Sequence, residues 1–174
     1  MSTTIRPDNL KAALAAKLAA AMSQVIELRE AEEPRLTPHI NQRAIVATFL
    51  VYACGVYSIA ETFGNAHVGP LQFIAWYGQW TQALDDADRT LWTQLRNDRA
   101  RQENGQGAAL IELEVPVASD PLVTVRPGAR PVRKQLVRFA TSASRAASDV
   151  CDDYLRLAQR FADDFVRDYA HLRD

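Results

Sequence analysis

From Ala44 to Ala60 the chain runs 17 residues without a formal charge, and between Arg43 and Asp85 the only charged side chain is Glu61. Such a segment has few places to go. It sits at the lower limit of about 17 apolar residues that a membrane-spanning helix needs. Alternatively it is a helix apolar on all sides, which belongs at the centre of a bundle or in an oligomer seam. Thr48, Tyr52, Gly55, Tyr57 and Ser58 interrupt it, and His67, Gly69-Pro70, Gln72, Gln79 and Gln82 make the next segment a poor second span. The bundle interior is therefore the expected place. Nine of the 14 aromatic residues lie between Phe49 and Trp92, so helices two and three should form the core or a buried dimer seam. Trp76 and Trp80, on adjacent rows of one face, read as packing anchors within it.

Apolar residues elsewhere recur at steps of three and four, the helical period. Leu10, Leu14, Leu18, Ala21, Val25 and Leu28 predict a first helix over about 8–32, helped by the high helix propensity of its many alanines. Pro34 ends it. Thr37-Pro38 reads as an N-cap followed by Pro at the first helical position, opening a second helix over 38–63 that Gly64-Asn65 would stop. Phe73, Tyr77, Trp80, Leu84, Ala87, Leu91 and Leu95 predict a third over 70–103. The period then changes to two: Ile111, Leu113 and Val115 alternate with Glu112 and Glu114. Leu122-Val-Thr-Val125 repeats this after Ser119-Asp120-Pro121, which predicts a β-hairpin over about 109–126. One stripe from Leu136 through Ala143, Val150, Tyr154, Phe161 and Phe165 to Leu172 predicts a last helix over 132–172. Its outer face would carry ion pairs Asp152/Arg156, Arg160/Asp164 and Asp163/Arg167. The expected fold is mainly α: one domain over 1–174, a four-helix up-down bundle with a short β-hairpin inserted between helices 3 and 4.

Charge looks uninformative until it is mapped. Twenty basic residues, 17 of them Arg, meet 21 acidic ones, and the net charge of −1 excludes a uniformly basic nucleic-acid binder. The Arg-for-Lys and Ala bias suits a GC-rich bacterial source. Yet 121–148 holds six basic residues and no acidic one, whereas 149–174 holds seven Asp. Up-down packing would bring Arg96, Arg99 and Arg101 beside Arg130, Arg133, Lys134 and Arg138 at one bundle end, near the positive N-terminal dipole of the last helix. This is the candidate binding site, for an acidic protein or nucleic acid. The same packing places Glu27, Glu30, Glu32 and Glu33 beside Arg35, His39 and Arg43, so these glutamates are the groups able to cover it.

Signatures of chemistry are few. No His-Glu-x-x-His, zinc-spaced Cys pair, Glu-x-x-His pair, Walker loop or dinucleotide fingerprint occurs, so no metal site or cofactor is expected. Asp85-Asp86-Ala-Asp88 reads as a solvated acidic helix face. Cys54 and Cys151 lack any framework spacing, which suits a reducing, cytoplasmic setting with buried thiols. No basic and apolar leader opens the chain. The three histidines are His39, His67 and His171. Arg35-Leu-Thr-Pro-His39 and Arg167-Asp-Tyr-Ala-His171 each place three residues between Arg and His, where prokaryotic nucleases of the HEPN group have four to six. The chain resembles that group in size, helicity and an apolar second helix only, and no catalytic role is carried over.

The function these features point to is that of a non-catalytic binding or adaptor protein of bacterial type, self-associating through the apolar surface of helices 2 and 3. An enzyme alternative is an RNase, toxin or phage-defence protein using His39 with Arg35 or Arg43 for acid–base work and phosphate stabilisation. A third is a small membrane-associated protein inserting helix 2.

Overall fold

The computed structural model describes residues 7–33, 41–104, 110–116 and 133–169. Within these the protein is mainly helical, with five α-helices and one two-stranded antiparallel sheet. Helix α1 (Pro7–Glu32) and helix α2 (Gln42–Phe63) follow the apolar stripes that predict them. Leu10, Ala21 and Leu28 of α1 are fully buried, as are Val46, Phe49, Ala53, Val56, Ala60 and Phe63 of α2. The apolar second helix is thus a core element. With the turn that follows, Gln42–Val68 is the one helix among the described residues long and apolar enough to cross a membrane.

Both ends of α2 differ from expectation, each for a local reason. Asn41 caps α2, its side-chain oxygen accepting from Ala44 N at 3.1 Å; Thr37-Pro38 lies outside the described residues. Gly64 does not stop the helix. Its φ of −58° is helical and the chain continues through a π turn (Gly64–Val68), ending at Gly69 with φ of 108°. Gly64 serves packing instead: a Cβ there would lie 2.5 Å from a ring carbon of Phe73.

The third predicted helix is two helices, α3 (Pro70–Gln82) and α4 (Asp86–Glu103), so the described residues hold five α-helices where four are expected. The apolar step from Leu84 to Leu91 conceals the break. The acidic run causes it, because Asp85 turns extended (ψ 168°) and its carboxylate accepts from Asp88 N at 2.8 Å, an N-cap followed by an acidic first turn. Arg89 closes the corner from the other side, donating to the carbonyls of Thr81, Gln82 and Leu84 and to Asp86 at 2.7–3.1 Å.

The last predicted helix also divides. Residues 133–139 form a strand, a 3-10 turn (Ala140–Ser142) follows, and helix α5 (Ala147–Tyr169) carries the rest of the stripe. Strand β1 (Leu110–Pro116) pairs with this β2 (Arg133–Phe139) in a register running from Leu110↔Phe139 to Pro116↔Arg133. The expected partner, 122–125, lies outside the described residues. Leu136, which also fits the helical stripe, is buried from the strand beside Val137 and Phe139.

Two sets of contacts lock these elements. Rings of α3 and α4 grip α5: Phe161 lies 5.0–6.3 Å from Trp76, Tyr77 and Trp80 of α3 and Trp92 of α4. The indole N–H groups of Trp76 and Trp80 donate to Asp168 and Asp164, each at 2.9 Å. These tryptophans are packing anchors. At the other end Glu32 accepts from the backbone N–H groups of Ala147 and Ser148 (2.8 and 3.4 Å), accepts the Ser148 hydroxyl and pairs with Arg138 at 2.9 Å. Of the three ion pairs expected along α5, Arg160/Asp164 forms at 4.0 Å; Arg156 instead reaches Asp88 at 2.6 Å, Asp152 pairs with Arg29 of α1, and Arg167 pairs with Asp164 and Asp168.

Glu32 therefore caps α5 in place of Ala146, which has no side-chain oxygen. Glu32→Ala is expected to lower unfolding free energy by about 3 kcal/mol, through a lost cap and a largely buried guanidinium left unmatched. Urea unfolding should show a lower midpoint at an unchanged slope, with Glu32→Gln roughly halfway.

Candidate functional site

The predicted basic end is largely matched by carboxylates and carbonyls. Arg138 is held by Glu32, Arg133 by Glu114 at 3.0 Å, and the Lys134 ammonium by the Glu33 carbonyl at 2.7 Å. Arg99 pairs with Glu103 one turn along α4, and Arg101 is exposed at the end of that helix. Arg130, Arg35, His39 and His171 lie outside the described residues. Arg43 is bound to Glu112 of β1 at 2.6 Å. Buried Gln42 joins the same end, donating to the Ala31 carbonyl and accepting from Val137 N, both at 2.9 Å.

Arg96 behaves differently. It leaves the other basic residues and enters the V between α3 and α4, an open cleft of about 490 Å³ lined by Tyr77, Thr81, Trp92, Thr93, Arg96 and Asn97 among others. Its guanidinium lies 4.4 Å from the ring centre of Tyr57 and 5.5 Å from that of Tyr77, close enough for cation–π attraction to both. It also donates to the Tyr77 hydroxyl at 2.7 Å, and the Trp92 indole donates to the same oxygen at 2.9 Å. Among the described residues no carboxylate pairs with Arg96.

That geometry fixes where protons point. A phenol oxygen has two acceptor sites, and both are filled, so the Tyr77 O–H proton must be directed away from Trp92 and the bonded guanidinium edge. Arg96 and Asn97 both line this cleft. Tyr57, behind Arg96, donates to Glu61 at 3.2 Å; burial, reinforced by the Glu61 charge, pushes its phenol up to about 12. It stays neutral and keeps an electron-rich face toward the guanidinium. Arg89, also on the cleft wall, has its donors engaged by the α3 carbonyls and Asp86, so its charge is locally balanced. The arrangement suits binding of an anionic group; its side chains include no nucleophile–base pair.

Tyr77 and Trp92 are absent from the sequence-derived site because both sit on apolar helical stripes, where aromatic residues usually mean core. Trp92 is indeed 2% exposed, although it lines the cleft. The described residues also include no group of three or more metal-ligating side chains. The chain matches no known protein family, no curated protein and no solved structure.

Three wholly or partly buried groups stand apart from the cleft. Cys54 and Cys151 are free thiols; burial pushes Cys54 up to about 12 and Cys151 well above the ordinary thiol range. Neither should react with iodoacetamide at pH 8 in the folded protein, whereas both should in urea, as mass spectrometry would record. Asp98 is 2% exposed and accepts from Tyr154 Oη at 3.2 Å, and burial raises its carboxyl above the ordinary Asp value. With the folded value above the unfolded one, the folded state takes up the proton first, so this group's contribution to stability falls as pH rises between the two. Asp98→Asn is accordingly expected to be more stable than wild type at pH 7. The gap in Tm should close as pH drops through the raised carboxyl range.

Proposed function

We propose that this chain is a non-catalytic binding protein of bacterial, cytoplasmic type that recognises an anionic group of its partner in the α3/α4 cleft. The observation that carries this reading is Arg96: a guanidinium fixed by two aromatic faces and a phenol oxygen, with no carboxylate of its own and no acceptor for the Tyr77 O–H among the described residues. Holding a cation rigidly without an internal counterion favours an external one, because the partner finds the donors already oriented and loses less freedom on binding. The free thiols support a reducing compartment. Recognition is thereby moved from the predicted basic end to one member of it, since Arg133, Lys134 and Arg138 already have intramolecular partners. The nuclease alternative draws on His39, outside the described residues, and on Arg43, which is engaged by Glu112.

Titration with acetate and with inorganic phosphate, followed by the Trp92 indole N–H resonance, tests the reading. Saturable shifts in the millimolar range are expected for wild type. Arg96→Gln should weaken them at least tenfold and Tyr77→Phe should weaken them less, both variants keeping the wild-type fold by circular dichroism. An unchanged response in Arg96→Gln would sink the proposal.

A further inference from the structure

The lip of the cleft continues into an apolar surface that nothing in the described chain covers. Ile74 lies two helical turns before Thr81, hence in the same row of α3, and Thr81 lines the cleft. Ile74 is 62% exposed and Leu71 79%, the two most exposed large apolar side chains among the described residues. Gly78 lies between these rows, one turn from each of Ile74 and Thr81. A Cβ placed on it would meet nothing within 4 Å. A mid-helix glycine costs about 1 kcal/mol of helix stability relative to Ala. No internal packing offsets that here, unlike Gly64 under Phe73. What Gly78 does provide is an open shelf where another backbone can approach α3 closely.

On the reading of the Arg96 cleft as an anion site, we infer that the partner is an amphipathic helix of another protein, presenting one Asp or Glu to Arg96 and Tyr77 and apolar side chains to Ile74 and Leu71 across Gly78. Three observations favour this occupant. The apolar positions 71, 74 and 78 run straight along α3 for about 10 Å, matching anchors spaced three or four residues apart on a facing helix. Among the described residues the cleft offers a single uncompensated positive charge, because Arg89 is balanced by Asp86 and the carbonyls of Thr81, Gln82 and Leu84; this matches a carboxylate better than a doubly charged phosphate. The surface beside it is aliphatic, with no further unpaired basic residue on α3 to follow a nucleic-acid backbone.

The test uses the full chain and 16-residue peptides selected against it from a random displayed library, with affinities measured by fluorescence anisotropy. Selected peptides should share an acidic residue one to two turns from apolar ones. Arg96→Gln and Ile74→Lys should each weaken binding at least tenfold. Changing the peptide carboxylate to its amide should cost as much as Arg96→Gln and add nothing in that variant. Ile74 is exposed, so Ile74→Lys should leave Tm and the acetate response of wild type intact. If acetate shifts Trp92 normally but Ile74→Lys binds peptide as wild type does, the docking surface is wrong and the anion cleft stands. If acetate does not bind, both readings fail together. The helix inference is likewise overturned if no peptide is enriched, or if a 16-nucleotide RNA binds through Arg96 independently of Ile74. Light scattering that shows a peptide-free dimer lost in Ile74→Lys would overturn it too, assigning the face to a second copy of the chain.

Discussion

The carboxylate of Glu32 is where the chain's separate helical pieces become one arrangement. It stands at the last residue of α1, yet what it binds is distant: the first N–H groups of α5, the Ser148 hydroxyl and the Arg138 guanidinium of β2. Without it the start of α5 would have orphan donors and β2 an unmatched charge in a mostly buried place. Gln42 works beside it, bridging the Ala31 carbonyl to Val137 N, so that α1, α2, β2 and α5 converge within two short polar networks. The remainder of α5 is thereby aimed along α1 and α2, which brings Phe161 and Phe165 under the rings of α3.

How much of this was legible depends on whether the deciding contact is local. The stripes of α1 and α2 are set by burial along one chain segment and read directly from Leu10 to Leu28 and from Ile45 to Phe63. The break at residues 83–85 also had a local signature, Asp85 three residues before Asp88, but an unbroken apolar spacing masks a helix corner when the two helices bury the same side. Residues 133–139 are a harder case. Their apolar positions satisfy a helical stripe, and only pairing with Leu110–Pro116 turns them into a strand, a register no single segment specifies.

The candidate site divides in the same way. Arg96 stood out as one basic residue among seven, and nothing in its sequence neighbourhood distinguishes it from Arg99 or Arg101. The difference arises from tertiary placement. Arg138, Lys134 and Arg133 meet acceptors contributed by α1 and β1, Arg99 meets Glu103 one turn away, and Arg96 meets aromatic rings from α2 and α3. Net charge near zero therefore coexists with a cation held between aromatic rings whose counterion is not found among the described residues. Tyr77 changes meaning once its two donors are seen: a stripe residue in sequence, it is the acceptor shared by the Trp92 indole and the Arg96 guanidinium in three dimensions.

The Arg89 corner has a mechanical consequence. Its guanidinium is bound to three carbonyls at the end of α3 and to the first turn of α4, and the opposite side of the V rests on the ring cluster around Phe161. The opening angle between the two helices is thus braced at its apex and along its back. On the proposed reading, a cleft braced in this way would select by fit, so discrimination among anions of equal charge would become a matter of how far each can enter before it meets Trp92 and Tyr77.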